Sequence, residues 1–543
     1  MAVALSASGN VVEIKALPTG ADATPVVRAA VAQLRDGDSL VFEKGEYHFY
    51  PDMAESVEQG ISNNRYGVPR KVVLNLKDRQ GVTIDGGGST FVCHGDVMPF
   101  LNRRCLELAF RAFTVTADIP AAIGFQVTKK DERGFELAFD TNAAPVKVAP
   151  DGLVFCTTWG ERTNPIAAII SLDTHRIVYL AHPVSSAEAR AGLAVGHILA
   201  RPTQIDARHI RFDDVPSDDP RRVRCDFAIG ERLCFNLTDR SRVMFLAEDC
   251  DKVTVEDVTV RRFVGMGVVA QRSKNLTLRR YRVAPNAGEL VTTGADAMMF
   301  TNCGGEILVE DCEVSRSLDD VFNNHGNYAE VASCAGNRLA LRIGHPEQRG
   351  FLPFRVGDDV EFIAPRSRAA LARAKVTAAY LATGDAFELE VEPAVRVAAK
   401  TLVENVTLVP NVTIRRCRFS DYPNLRVSQR GRLVVEDNVM RRGCTALMVN
   451  DLADYWYESG RVSDLVFRNN VVDDCNFYSC PIQVGVSGWA TGDPNAPKVH
   501  GRIRLEGNEF RNLTGERMRI SGVWDFWYNT RHESRYSTGD QPD

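Results

Sequence analysis

Residues 252–314 read KVTVEDVTVRRFVGMGVVAQRSKNLTLRRYRVAPNAGELVTTGADAMMFTNCGGEILVEDCEV. Three phrases inside this stretch share one form: KVTVEDVTV at 252–260, NLTLRRYRV at 275–283 and EILVEDCEV at 306–314. Each alternates apolar and polar residues, then carries a polar or charged pair, then returns to an apolar pair. Alternation with period two marks short strands, and the polar pair between them marks a bend. The same form recurs as GVTIDGG at 81–87, NVTIRRCRF at 411–419, RLVVEDNVM at 432–440, DLVFRNNVV at 464–472 and RIRLEGNEF at 502–510. The spacing runs from about 21 to 38 residues and is close to 22 where loops are short. Such a period, built of short strands and tight turns, predicts a solenoid with one coil per repeat. No leucine scaffold is present, so a parallel β-helix fits better, with inward Val, Ile, Leu, Phe and Cys stacked from coil to coil.

Composition agrees with an all-β globular chain. Of 543 residues, 44% are hydrophobic and 25% charged, with 65 Lys plus Arg against 70 Asp plus Glu. That balance argues against a broad binding surface for nucleic acid or an anionic membrane, and no apolar run is long enough to span a bilayer as a helix. The 13 cysteines are odd in number and lack zinc spacing. Cys250, Cys312, Cys417 and Cys475 close similar strand phrases, which reads as small buried hydrophobes; a Cys475–Cys480 disulfide stays open. The start, MAVALSASGN, has neither the basic region nor the apolar length of a signal peptide. The expectation is a cytoplasmic chain or one that begins after a removed signal.

The predicted organisation has five parts. Residues 1–124 hold a cap and the first coils. In the cap, Thr24 is expected as N-cap of a helix with Pro25 at its first position, burying Val26, Val27, Ala30, Val31 and Leu34. Residues 125–230 and 328–405 break the rhythm with alternating runs such as GFELAFD, HRIVYLA, RLALRIGH and FELEVEP, and read as inserted small β-barrel-like modules. Coils occupy 231–327 and 406–543.

The densest polar stretch is 294–328, GADAMMFTNCGGEILVEDCEVSRSLDDVFNNHGNY. Asp319 and Asp320 follow Asp296 by about one coil. On neighbouring coils, stacked about 4.8 Å apart, the three carboxyl groups would converge. Successive residues of a strand point to opposite sides, so the doublet is expected at a bend, which the Asn323-Asn324-His325-Gly326 run also suits. Three close carboxylates cannot all ionise cheaply, and this divides them into a proton donor and proton acceptors. The plain alternative is that Asp and Asn at solenoid bends form structural ladders.

These motifs resemble glycoside hydrolase family 110, exo-acting α-1,3-galactosidases. The likeness lies in GADAMMFTNCGG followed by LDDVFNNHG, in NDLADYWYESGRVSDLVFRNNVVDDC further on, and in VFEKGEYHFYPDMAESVEQGISNN early in the chain. It runs from about residue 10 to residue 515 and is weakest across the two insertions. The resemblance implies a right-handed β-helix with inserted β-barrel modules, hydrolysis of terminal α-1,3-linked galactose with inversion, and no metal or other cofactor. It implies Asp319 as general acid and Asp296 with Asp320 as activators of water, the roles within the doublet being interchangeable on sequence. Asn323 and His325 are then expected to orient the carboxylates or to contact sugar hydroxyls; a satisfied structural His is the alternative for His325. For an inverting pair, acid and base are expected about 6.5–9.5 Å apart.

A second cluster, Asp454-Tyr455-Trp456-Tyr457-Glu458, combines an aromatic platform for a pyranose face with acids for its hydroxyls. Core packing is the alternative for Trp456. Arg426 and Arg430 are candidates for sugar contact or for holding a carboxylate ionised, against a solvated surface role. Trp489 sits in a Gly/Pro-rich loop of the kind that frames a cleft. No phosphate-binding loop, HExxH or convincing nucleophile elbow occurs. The expected partner is a glycan ending in α-galactose, with no nucleic acid or membrane; a homodimer is left open. Three other classes stay open on sequence: a polygalacturonase-like hydrolase, a polysaccharide lyase and a non-catalytic glycan-binding β-helix. The first needs a basic subsite, and the sequence around the acids has no Lys and few Arg.

Overall fold

A computed structural model of the chain describes residues 9–532, except 119, 140–145, 151, 158–159, 165, 172, 174–176, 183–196, 221, 237–239, 288, 290, 422–423, 444 and 477–479. The architecture is a right-handed parallel β-helix. All eight repeat phrases fall in one parallel sheet, and their registers superpose residue on residue. Val255 pairs with Leu278, Leu278 with Val309, Val309 with Ile414, Ile414 with Val435 and Val435 with Phe467. Every member of that column is buried.

The bend has a fixed place in the six phrases from 252 to 472. The sixth residue of each, Asp257, Arg280, Asp311, Arg416, Asp437 or Asn469, has φ between 48° and 57°. Asp and Asn tolerate this left-handed conformation best. Where Arg occupies it, the side chain reaches the previous coil's Asp: Arg280 Nε donates to Asp257 Oδ1 at 2.6 Å and Arg416 Nε to Asp311 Oδ1 at 2.9 Å. The next residue points inward. It is Tyr281, Cys312 and Cys417 on successive coils, then Asn438, Asn470 and Asn508, all buried. The three asparagines form a ladder. Asn470 Nδ2 donates to Val435 O at 2.9 Å, while Asn470 Oδ1 accepts the Asn438 N–H at 3.0 Å. Asn470→Ala would orphan both buried backbone groups. It is expected to lower stability by about 2 kcal/mol or more, read as an earlier midpoint in urea unfolding.

The helix Thr24–Gln33 lies near the N-terminal coil, but its N-cap is Ala23 and no side chain caps it. Thr24 Oγ1 instead accepts the Tyr50 N–H at 3.0 Å: the hydroxyl is used to tie the helix to a coil strand. Val26 is exposed, whereas Val27, Ala30, Val31 and Leu34 are buried. Cys475 and Cys480 are both free and buried. Among the described residues no helix is long and apolar enough to cross a membrane.

Two barrels of mainly antiparallel strands interrupt the coils. Seven described strands between Ala122 and Asn236 close one around its own apolar core. The other is formed by Phe322–Ala335, Arg338–Ile343, Asp359–Ile363, Ala370–Thr383, Ala386–Glu392 and Leu402–Asn405, paired in a closed ring. Its first strand begins as a β-helix strand, since Phe322–Asn324 pairs in parallel with Leu425–Val427. The second barrel therefore grows directly out of the coil that carries the acid doublet.

Candidate active site

Asp296 and Asp320 occupy the same position on adjacent coils. Met299 pairs with Asn323, and the Ala297 N–H donates to Asp320 O at 2.9 Å. One side-chain oxygen from each of Asp296, Asp319 and Asp320 lies within 4.8 Å of the others. That closeness follows from stacking, because neighbouring coils are only about 4.8 Å apart. The wider separation of about 6.5–9.5 Å expected for an inverting pair is not what these nearest oxygens hold.

Asp319 sits at a bend, but the Asn323–Gly326 run does not: it lies in the strand Phe322–Ala335. Strand alternation sets Phe322 into the β-helix core and turns Asn323 and His325 to the other face. Asn323 Nδ2 is 3.5 Å from Asp296 Oδ2. His325 Nδ1 donates to Gly326 O at 2.8 Å, leaving Nε2 3.6 Å from Glu458 Oε1. Gly326 is required by close approach: a Cβ there would stand 2.3 Å from Ser459 Oγ, on the short strand that carries Glu458.

Two arginines frame the acids. Arg240 forms an ion pair with Asp319. Arg426 Nε donates to Asp320 Oδ2 at 3.2 Å and its Nη1 is 3.9 Å from Glu458 Oε2. Asn424, two residues earlier on the same strand, donates to Asp320 Oδ1. Asp296 and Asp320 are 2% and 3% exposed, whereas the Asp319 side chain is 32% exposed. Burial, reinforced by Asp319 and Asp320, pushes the Asp296 carboxyl well above its ordinary range. Burial also raises Asp320, to about 7, against the pull of Arg426. Glu458 moves the other way: burial opposes its charge, but His325, Arg426 and the Asn63 and Asn323 amides outweigh it and hold it low. A divalent cation would use a similar trio of oxygens; here Arg240 and Arg426 already bring positive charge to Asp319 and Asp320.

Trp456 stands between Tyr455 and Tyr457, whose φ values are 48° and 53°. Two non-glycine residues in the left-handed region mark a strained turn, as functional loops often carry. The Trp456 ring packs against His345, with centroids 4.0 Å apart, and lies 5.4 Å from Arg240 Cζ. Asp454 is exposed, and its carbonyl accepts the Tyr457 N–H at 3.2 Å; its side chain is not among the described contacts of the acids. Arg430 is also elsewhere. It binds Glu404 and Glu361 of the second barrel, alongside Arg461, and so ties that barrel to the coils. Trp489 packs with Arg366, 5.7 Å from its ring.

Several site residues escape a reading of the sequence. Arg240 precedes a coil strand in no recognisable motif. His345, Glu347 and Gln348 come from a turn of the second barrel, and Asn63, which donates to Glu458 Oε1 at 2.7 Å, from an N-terminal loop. Asn424 alone had a signal, being two positions before Arg426 in a strand and so on the same face.

No protein-family model matches this chain. It is 25% identical over 506 residues to alpha-1,3-galactosidase B of Bacteroides thetaiotaomicron, covering 90% of this chain and 80% of that protein. It is 26% identical over 511 residues to alpha-1,3-galactosidase A of Shewanella woodyi, covering 91% and 80%. With alpha-1,3-galactosidase A of Streptomyces avermitilis the identity is 27% over 527 residues, covering 91% and 82%. Among solved structures, it is similar to a polygalacturonase from Erwinia carotovora, with 8% identity, a TM-score of 0.38 and coverage of 95% of this chain and 96% of that one. Along about nine-tenths of its length, then, this chain is similar to bacterial proteins named alpha-1,3-galactosidase.

Proposed function

We propose that the protein is an exo-acting glycoside hydrolase of family 110 that releases terminal α-1,3-linked galactose with inversion. The observation that carries the reading is the buried, arginine-framed convergence of Asp296, Asp319 and Asp320 within 4.8 Å, in a chain whose relatives are named for this activity.

Three carboxyl groups face two guanidiniums, so the set retains a proton. In the free site that proton favours Asp296, whose carboxyl burial and the neighbouring acids push well above its ordinary range. Asp319, the most exposed of the three, meets the glycosidic oxygen. When the sugar displaces Arg240 the proton passes to Asp319, which then gives it to the departing oxygen as the C1–O bond breaks. Asp296 and Asp320, both ionised by then, hold a water on the opposite face of the ring. The water oxygen bonds to C1, and its proton goes to this buried pair. Asn323 Oδ1 and Asn424 Oδ1 have no protein hydrogen-bond partner and accept from sugar hydroxyls or from that water. Trp456 supplies an apolar face to the sugar, and Glu458 accepts a hydroxyl.

Water activation needs ionised Asp320, whose carboxyl titrates at about 7. As pH falls below that value Asp320 takes up a proton, so kcat/KM is expected to drop toward tenfold per pH unit. The expected limb disappears in Asp320→Asn. A pH profile of kcat/KM that stays flat from 7 down to 5 would remove Asp320 from this role.

The reading is tested by incubating the protein with α-1,3-galactobiose and, separately, with polygalacturonate, each with and without a chelator. Galactose release from the first alone, unaffected by chelator, is expected. Cleavage of polygalacturonate would favour a uronate hydrolase with Arg240 or Arg426 as its basic subsite, and chelator-sensitive cleavage would favour a lyase.

A further inference from the structure

Arg240 has two carboxylate neighbours from different parts of the fold. One is Asp319, on a β-helix coil. The other is Glu347, on the Pro346–Gln348 turn of the second barrel, whose Oε2 is 3.6 Å from Arg240 Nε. The Arg240 side chain is 20% exposed and that of Glu347 32% exposed, so both border the opening. Their backbones are fixed by the same N-terminal loop. The Asn64 N–H donates to Glu347 O at 2.7 Å and the Arg65 N–H to Arg240 O at 3.1 Å. Glu347 N–H also donates to His345 Nδ1 at 3.2 Å. The side-chain ends are freer, and the Arg240–Glu347 gap needs to close by less than about 1 Å to become a hydrogen bond.

An acid cannot protonate a leaving oxygen while a guanidinium occupies its own oxygens, because that ion pair favours the carboxylate. Arg240 must therefore leave Asp319, and a guanidinium stripped of its partner in a largely buried site is costly. We infer that Glu347 is a positioning residue that receives Arg240 when a sugar oxygen takes its place on Asp319, and so sets when Asp319 can carry the acid's proton. The inference rests on the galactoside hydrolysis proposed for this site.

The charged groups that act on the exchange among the described residues come from several elements. Asp319, Asp296, Glu347 and Asp320 act on Arg240, and Arg240, Asp319 and Arg65 act on Glu347. Burial and the adjacent Arg240 push His345 down to about 4, so it adds no charge near neutral pH. The indole of Trp456, 5.4 Å from Arg240 Cζ, and the His345 ring packed on it form the wall beside which the guanidinium moves. This gives the inserted barrel a part in the chemistry: it brings the second anion.

The test compares Glu347→Gln and Glu347→Asp with the wild type on α-1,3-galactobiose and on 4-nitrophenyl α-galactoside, whose leaving group needs little protonation. In Glu347→Gln, kcat on galactobiose is expected to fall about tenfold or more, and on the nitrophenyl substrate by less than about twofold, with KM held in both. Glu347→Asp is expected to recover most of the loss. Carboxyl-carbon NMR, with the Asp319 resonance assigned through Asp319→Asn, is expected to show Asp319 titrating at lower pH in Glu347→Gln than in wild type. Equal loss on both substrates, no loss on either, or an unmoved Asp319 titration overturns the inference. A wild type inactive on both galactosides rejects the proposed function instead; the titration comparison needs no turnover and still decides whether Glu347 acts on Asp319.

Discussion

Asp319→Asn is expected to lower kcat on α-1,3-galactobiose by about 10³–10⁴-fold, and to lower it far less on 4-nitrophenyl α-galactoside. An unactivated sugar is a poor leaving group, and its oxygen must be protonated as the bond breaks. A nitrophenolate departs without that help. The exposure of Asp319 relative to its two neighbours makes it the carboxyl that an incoming glycosidic oxygen meets. Asparagine keeps the shape and the bend, and thermal unfolding is expected to change little. If kcat falls equally on the two substrates, Asp319 is not the acid, and Asp320 becomes the candidate within the doublet.

Asp320→Asn is expected to behave differently: a loss of about 10³-fold or more on both substrates, because water must be activated whatever the leaving group. The change also touches the frame. Arg426 and Asn424 both donate to Asp320, and an amide in its place leaves the Arg426 charge to Glu458 and Asp319. Arg426→Lys separates these effects. It keeps the charge but loses the planar fork, and is expected to cost less than Asp320→Asn. Retained activity of Asp320→Asn on either galactoside would exclude it from water activation.

The β-helix was legible because its repeat is local. Each coil phrase carries its own inward alternation, and the bend always comes at the same residue of the phrase, from Asp257 to Asn469. A coil length near two dozen residues then stacks Asp296 on Asp320 with no further information. What the sequence hid depends on side chains meeting from unrelated loops. Nothing in the sequence around Arg240 or Glu347 says that a barrel turn and a coil connection will flank one carboxylate. Asn323–Gly326 looks like a turn by composition, but pairing with Leu425–Val427 and Met299–Thr301 draws it into a strand. Thr24 has the chemistry of a helix cap, yet a tertiary hydrogen bond to Tyr50 takes its hydroxyl. Arg430 is a candidate on sequence for sugar contact or for holding a carboxylate ionised; its partners are Glu361 and Glu404, where two parts of the fold meet, and not the three acids.

The oxygens of the three acids stand closer together than an inverting pair ordinarily does, so product stereochemistry bears most directly on the mechanism. Proton NMR of the first sugar released from α-1,3-galactobiose, read before mutarotation, tests whether water attacks C1 directly while the acids act only on protons. The account expects β-galactose first. Initial α-galactose would mean a covalent intermediate on one of these carboxylates, and would contradict it.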